Sequence, residues 1–147
     1  MNVRMVDITG KQPVYREAVA TGRIRLKPET VELIRRQGVE KGDVESVARV
    51  AAILAVKKTP ELVPLCHPIP VTGVDVDFKL KDHAVEVTVR VKTTARTGVE
   101  MEALSGVAAA LLAVWDMVKK YEKDAEGQYP YTRIEEIRVV KKRKGEG

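Results

Sequence analysis

Three short stretches of the 147-residue sequence contain side chains that could act on a substrate. The first is LCHPIP, residues 65–70, which holds the only cysteine of the chain, Cys66, next to His67. The prolines in and just before this stretch fix their own φ angles and push the residues before them towards extended geometry. An extended segment leaves backbone N–H and C=O groups free for a ligand and holds the His67 ring on a stiff support. Local sequence alone favours another interpretation, a rigid connection with a buried cysteine and a hydrogen-bonded histidine.

A second stretch, TGVEMEALSG at residues 97–106, places acidic side chains at the start of a predicted helix. Thr97 can cap this helix, and Glu100 and Glu102 fall in its first turn, where the helix dipole favours carboxylates. That placement alone would explain both glutamates. The rest of the helix, however, is apolar around most of its circumference, so at least one glutamate should lie next to buried surface. The pKa of a carboxyl group can shift in such surroundings.

The third stretch pairs an aspartate with lysines. Asp116 is followed by Lys119 and Lys120, three and four residues later on the same predicted helix. An ion pair on the helix surface is the ordinary explanation of this spacing. Because Asp116 directly follows Trp115 in an apolar run, a partly buried pair is the alternative. Such a pair can supply both a base and an acid near neutral pH.

Other chemistries have little support in the sequence. Cys66 and His67 are adjacent, and His83 lies in a predicted turn with no partner at metal-ligand spacing. The glycine-rich nucleotide motifs GxGxxG and GxxxxGK[ST] do not occur, and neither does the serine-hydrolase motif GxSxG. We therefore predict no metal site and no cofactor fingerprint; Mg²⁺ has no support from the sequence.

The charge balance indicates an anionic partner. The formal net charge is +5 and the isoelectric point is about 9.3, which suits either a small phosphorylated substrate or RNA. RNA binding commonly uses several exposed aromatic rings, whereas this chain has one Phe, one Trp and four Tyr. A basic RNA-binding module is therefore the alternative to an enzyme, and a structural oligomer subunit is a third hypothesis. A solvated surface rich in Lys and Arg is the ordinary explanation of the charge.

The sequence also suggests where the protein works. No stretch reaches the roughly eighteen apolar residues of a membrane span, and the N-terminal MNVRMVDITGK has no apolar signal core. A single cysteine cannot form an internal disulfide, which fits a reducing compartment. We expect a cytoplasmic protein with no membrane partner.

Hydrophobic periodicity predicts an α+β fold. The order of elements is βααββαβ, which we interpret as a ferredoxin-like, four-stranded antiparallel sheet with helices packed on one face. One domain should cover residues 1–147, with residues 141–147 as a flexible basic tail. The second helix is apolar almost all round, so its own domain or another subunit should bury most of it. Strands are predicted at residues 16–26, 74–80, 85–91 and 133–140, and helices at residues 28–37, 44–58 and 99–121.

Five motifs in register give the sequence a specific resemblance. Their order and spacing resemble those of the molybdenum cofactor biosynthesis protein C family, the cyclic pyranopterin monophosphate synthases, over roughly residues 5–140. The motifs are MVDITGK at residues 5–11, KGDV at 41–44, LCHP at 65–68, TGVEMEAL at 97–104 and WDMVK at 115–119.

The resemblance implies a lyase of molybdenum cofactor biosynthesis. The family rearranges a cyclised dihydro-GTP to a pyranopterin with a cyclic phosphate and releases pyrophosphate, consuming no redox cofactor. Similar proteins are ferredoxin-like domains assembled as homohexamers, trimers of dimers, with the active site between paired subunits. The partners so implied are a small phosphorylated substrate and copies of this chain, without nucleic acid.

The resemblance also implies roles for particular residues. In the C-terminal region the family usually has a Lys-Ser-Gly-Gly-Lys loop that contacts phosphate, whereas this sequence has Lys-Lys-Arg-Lys-Gly at residues 141–145, from which we choose Lys142. The catalytic positions are Asp116, Lys119 and Lys41, and the substrate-binding positions are Leu65, Cys66, His67, Glu100, Met101, Glu102 and Lys142.

Helix geometry predicts that the active site takes residues from two subunits. Glu102 and Asp116 are fourteen residues apart on one predicted helix, hence about 21 Å apart at 1.5 Å per residue, and they should share a face. Both cannot meet one reacting centre within a single chain. Two such helices crossing antiparallel about a two-fold axis would bring Glu102 of one subunit near Asp116 of its partner. We therefore expect Lys41, Asp116 and Lys119 to come from one subunit and Glu102 from the other, while either subunit could supply His67.

Overall fold

The computed structural model describes residues 1–145 of the chain. Over these residues it shows four strands and four helices, which confirms the α+β class and the hairpin inside it. The elements are β1 (Val14–Arg25), α1 (Pro28–Arg35), α2 (Val44–Lys57), α3 (Thr59–Leu62), β2 (Val71–Leu80), β3 (Ala84–Ala95), α4 (Glu100–Glu122) and β4 (Arg133–Lys144).

The strands form one antiparallel sheet in the order β2-β3-β1-β4.

The predicted order of elements lacks one member, the short helix α3. Pro60 is its second residue, where a missing N–H costs nothing. The hydroxyl of Thr59 donates to the carbonyl of Ala55, 2.8 Å away, so the turn continues directly from α2. Such a four-residue turn is too short to show a helical period in the sequence.

Helices α2 and α4 pack against one face of the sheet. The alternating residues of β3 that face them are fully buried valines, as their strand period predicts. Gly22 of β1 and Gly106 of α4 allow the helix to approach closely: a Cβ at Gly106 would lie 2.9 Å from Val56 Cγ2 and 3.1 Å from Val89 Cγ1. The central helix is therefore fixed against both α2 and β3 by backbone-to-side-chain contact.

The other face of the sheet is polar. Arg90 Nη1 donates to Glu17 Oε2 at 2.9 Å, and Arg23 Nε donates to Glu135 Oε1 at 3.0 Å. The Tyr15 hydroxyl donates to Glu17 Oε1 at 2.7 Å, and this hydrogen bond is the main reason that the pKa of Glu17 is lowered. Cross-strand pairs of this kind provide partners for the charged groups on the face of the sheet that carries no helix.

The C-terminal strand is longer than predicted, which corrects the expectation of a flexible tail. Residues 141–144 pair with residues 16–19 of β1, and the N–H of Gly145 donates to the carbonyl of Tyr15 at 2.9 Å. The apolar alternation ends at Val140, but backbone pairing does not require apolar side chains, and lysine-rich edge strands are common. The last two residues of the predicted tail lie outside the described residues.

A buried carboxylate ties the end of α4 to its neighbours. Glu122 is fully buried and accepts hydrogen bonds from the hydroxyls of Thr30 and Thr132, at 2.5 and 2.6 Å. It also accepts the backbone N–H of Lys27 at 3.1 Å, just before α1. The C-terminal end of α4 is thus fixed relative to α1 and to the start of β4.

One face of α2 stays uncovered within a single chain. Ala48, Ala52 and Ala55 are buried, whereas Val47, Val50 and Leu54 are about half exposed. The chain itself therefore covers only part of this apolar helix. Contrary to the expectation that no stretch reaches the apolar length of a membrane span, helix α4 is long and apolar enough to cross a membrane by length and composition. Its buried residues pack against the sheet, so it is the core helix of the domain.

We predict that Gly106→Leu lowers the free energy of unfolding by about 1–3 kcal/mol, the usual cost of overpacking a core. The added side chain has no room between Val56 and Val89. Gly10→Leu is the matched control, because a Cβ at Gly10 has no atom beyond its chain neighbours within 4 Å. Chemical denaturation of both variants gives the comparison. Equal stability of the two variants would contradict the close packing of α4.

Candidate active site

A carboxylate held between two lysines lies near the C-terminal end of α4. The ammonium group of Lys41 donates to Asp116 Oδ2 at 3.1 Å and to the Asp116 carbonyl at 2.9 Å. Lys119 Nζ lies 3.1 Å from the other carboxylate oxygen, Oδ1. The three residues proposed as catalytic from the sequence therefore meet in one cluster, although Lys41 belongs to a loop 75 positions earlier.

The lysines determine the charge state of Asp116. Hydrogen bonds from Lys119 and then Lys41 lower the pKa of its carboxyl group. The Asp116 side chain is 60% exposed, so the interpretation of Asp116 and its lysines as a partly buried pair was wrong. Although Asp116 directly follows Trp115, its side chain points away from the core. An ionised carboxylate flanked by two ammonium groups can accept a proton, donate protons and attract phosphate.

The loop that carries Lys41 is fixed to α4. The Tyr121 hydroxyl accepts the backbone N–H of Glu40 at 2.9 Å, and the Glu40 carboxylate forms an ion pair with Lys120. Gly42, with φ at +121°, takes a backbone conformation that other residues rarely adopt. These contacts, together with the burial of Val39 and Val44 in the hydrophobic core on either side of the loop, hold the Lys41 ammonium over Asp116.

A second cluster surrounds the N-terminal end of α4. Glu102 is only 1% exposed, covered by the 65–67 loop, and the Cys66 thiol donates to its Oε2 at 3.7 Å. Its other oxygen, Oε1, is buried and has no hydrogen-bond partner among the described residues. Burial raises the pKa of Glu102, and burial together with the nearby carboxylate raises the pKa of the Cys66 thiol. One of the two glutamates thus lies in the buried setting that the sequence predicted.

The remaining predicted binding residues adjoin the same end of the helix. Glu100 Oε2 accepts a hydrogen bond from Lys142 Nζ at 3.2 Å. Lys142, the predicted phosphate-binding lysine, therefore lies at this cluster and belongs to strand β4. Leu65 and Met101 expose 46% and 41% of their surface at a cavity of about 480 Å³. This volume suits a nucleotide-sized ligand.

Sequence reasoning missed two arginines at this cluster. Arg16 is 8% exposed, its Nε is buried without a partner among the described residues, and its Nη2 lies 3.4 Å from the carbonyl of Arg96. Arg96 lines a further cavity of about 530 Å³ together with His67. A signal was available: Arg16 is in phase with Ala18 and Ala20, so strand alternation already places its cation on the buried face.

The structure keeps the two clusters apart. It brings Lys41, Asp116 and Lys119 together at one end of α4, and it brings the residues predicted to bind substrate to the other end. Glu102 and Asp116 are separated by fourteen helical positions, or about 21 Å along the axis. Within residues 1–145, no group of three or more His, Cys, Asp or Glu side chains could hold a metal ion.

Comparisons with known proteins show which family the chain belongs to. The model of the MoaC family matches residues 5–145. A "probable cyclic pyranopterin monophosphate synthase" of Thermococcus kodakarensis is 62% identical over 144 residues, covering 98% of this chain and 92% of the relative. Proteins of the same name from Aeropyrum pernix and Methanosarcina mazei are 64% and 60% identical, covering 96% and 97% of this chain and 97% and 90% of the relatives.

The buried carboxyl group of Glu102 predicts a pH-dependent stability. Its pKa is raised above the value of 4.5 that an exposed glutamate has. The stability that it contributes is therefore complete below pH 4.5 and is lost as pH rises through the raised folded-state pKa. Glu102→Gln cannot ionise, so its stability relative to the wild type should increase as pH rises.

Denaturation midpoints of both proteins between about pH 4 and pH 8 test this sign. Glu126→Gln, which removes an exposed carboxylate, is the control for loss of one negative charge. A difference between Glu102→Gln and the wild type that stays constant over this range would contradict a raised pKa.

Proposed function

Since the chain belongs to the MoaC family, we propose that it is a cyclic pyranopterin monophosphate synthase, a lyase of molybdenum cofactor biosynthesis. It converts 3′,8-cyclo-7,8-dihydroguanosine triphosphate to cyclic pyranopterin monophosphate and releases pyrophosphate. The observation that carries this proposal is the Asp116 carboxylate held between Lys41 and Lys119, the three residues to which the sequence resemblance assigns catalysis.

The proposed reaction needs acid–base chemistry and charge balance. A cyclic monophosphate forms when a substrate hydroxyl oxygen bonds to the α-phosphorus and the bond from that phosphorus to pyrophosphate breaks. A proton leaves the hydroxyl, and negative charge accumulates on the leaving group. We assign Asp116 as an acceptor of substrate protons, and Lys119 and Lys41 as proton donors that also offset phosphate charge.

The other cluster holds the substrate in this proposal. Glu100 recognises the N–H edge of the guanine-derived ring from the cavity lining, and Glu102 does so from its buried position beneath Cys66. Met101 and the Leu65–His67 segment surround the ring, and Lys142 contacts phosphate. The buried Arg16 adds a cation that the chain itself leaves partly unpaired. No electrons pass to or from the protein, so the proposal includes no resident cofactor; Mg²⁺ would arrive with the triphosphate.

The proposal includes an assembly. We propose a homohexamer, a trimer of dimers, in which each site joins the Asp116 cluster of one subunit to the Glu102 cluster of its partner. The half-exposed apolar side chains of α2 and Leu112 of α4, which is 60% exposed, support a further protein contact. We also propose a ferredoxin-like classification, because two split βαβ units give the strand order β2-β3-β1-β4, and a cytoplasmic location, because the chain has a single cysteine.

Pyrophosphate release from the purified cyclic dihydro-GTP intermediate tests the proposed function directly. The wild type should release one pyrophosphate per substrate converted, and Asp116→Asn should lose nearly all turnover while it still folds. This variant removes the proton acceptor and changes little volume. Absence of pyrophosphate release by the folded wild type would reject the function. Near-normal turnover by Asp116→Asn would leave Asp116 as an ion-pair partner only.

Adjacent lysines provide an internal control. Lys119→Ala should behave like Asp116→Asn, whereas Lys120→Ala should be mild, because its exposed ion pair with Glu40 is a weak contact. The Tyr121 hydroxyl still holds the backbone N–H of Glu40 when Lys120 is removed. Equal losses of turnover in both variants would indicate general electrostatic attraction of phosphate instead of a specific acid.

A further inference from the structure

The N-terminal motif MVDITGK, residues 5–11, has no role in the site described so far. It precedes β1 and lies outside the core: Met5 is 48% exposed and Val6 is 68% exposed. It nevertheless has a defined conformation. Asp7 Oδ1 accepts hydrogen bonds from the backbone N–H of Thr9 at 2.8 Å and from its hydroxyl at 2.6 Å. The N–H of Lys11 donates to the carbonyl of Ile8 at 3.0 Å and closes a turn.

Among the described residues, two hydrogen bonds fix this segment to the rest of the chain, and both come from residues of the candidate site. His67 Nε2 donates to the carbonyl of Val6 at 2.6 Å. Arg96 Nε donates to the carbonyl of Lys11 at 3.1 Å. A backbone acceptor thus occupies one ring nitrogen of His67, and this nitrogen holds the segment in place before any substrate is present.

The segment lines two cavities. The cavity of about 480 Å³ has Val6, Ile8 and Lys11 on one side, the 63–67 loop on the second side, and the start of α4 on the third. The cavity of about 530 Å³ is lined by residues 5–9 with His67 and Arg96. The lining combines aliphatic side chains with the Lys11 cation, a combination that suits a ring bearing phosphate.

We propose that residues 5–11 form a wall of the substrate pocket, that Ile8 and Lys11 contact the substrate, and that His67 is a positioning residue acting through the carbonyl of Val6. This inference rests on the proposed function for the identity of the substrate. For a surface segment with no role in binding, we would expect neither a position lining these cavities nor hydrogen bonds from site residues. Since the segment contributes nothing to the core, variants in it should fold normally.

The first experiment uses the free protein and requires no activity. Hydrogen–deuterium exchange of the N-terminal peptide should be faster in His67→Ala than in the wild type, because loss of the anchor frees the Thr9 and Lys11 amides. His67→Gln retains an N–H donor and should restore much of the protection. Unchanged exchange in His67→Ala would overturn the positioning role of His67. The result stands even if pyrophosphate release is never observed.

The second experiment is a double-mutant cycle in the pyrophosphate assay. Asp7→Ala removes two hydrogen bonds to a carboxylate and should raise KM about tenfold, with kcat within about twofold of the wild type. Val3→Ala, at a position that is 83% exposed, is the matched control and should leave both constants unchanged. An unchanged KM in Asp7→Ala would contradict the proposal that residues 5–11 form a wall of the substrate pocket.

The cycle then separates the wall from direct contact. If His67 acts through the wall, His67→Ala should raise KM in the wild type but add little, about twofold or less, in the Asp7→Ala background. If the two effects multiply in full, His67 acts independently of residues 5–11, and the proposed positioning role is wrong.

Discussion

A single helix fixes the distance between the two groups of chemically capable residues. The helix α4 has 23 residues, which span about 34 Å at 1.5 Å per residue. Its N-terminal end carries Glu100 and Glu102, and its C-terminal end carries Asp116 and Lys119. An α-helix cannot shorten, so one chain cannot bring both groups to one substrate. In the proposed assembly, a second copy of the chain supplies the cluster that each site lacks.

The rest of the fold keeps this helix in place. Gly106 allows it to lie directly against α2 and β3, while Glu122 fastens its C-terminal end through three hydrogen-bond donors. The loop that carries Lys41 is bound to the same end through Tyr121. Both clusters are thus held on rigid elements before substrate binds, which lowers the entropic cost of organising the reaction.

The sequence predicted the elements whose signal is periodic and missed what depends on tertiary context. Alternation in β3 and the apolar period of α4 placed the main elements within a few residues. The sheet pairing of Lys142 was missed because it requires only backbone partners. The burial of Glu102 followed from neighbouring apolar residues, but its cover by Cys66 comes from a distant loop. Arg16 was missed because only apolar residues were used to assign the buried face of β1. Its position in the strand alternation nevertheless puts it on that face.

The central claim, that each site takes one cluster from each of two subunits, is most directly tested by mixing inactive chains. Asp116→Asn and Glu102→Gln, each confirmed as inactive, are combined in equal amounts under conditions that exchange subunits. In a mixed pair, one site receives both lesions and the other receives neither. Half of the pairs are mixed and half of their sites are intact, so roughly a quarter of the wild-type activity should return. If exchange is verified and activity stays at the level of the single variants, both clusters serve within one chain and the shared site is wrong.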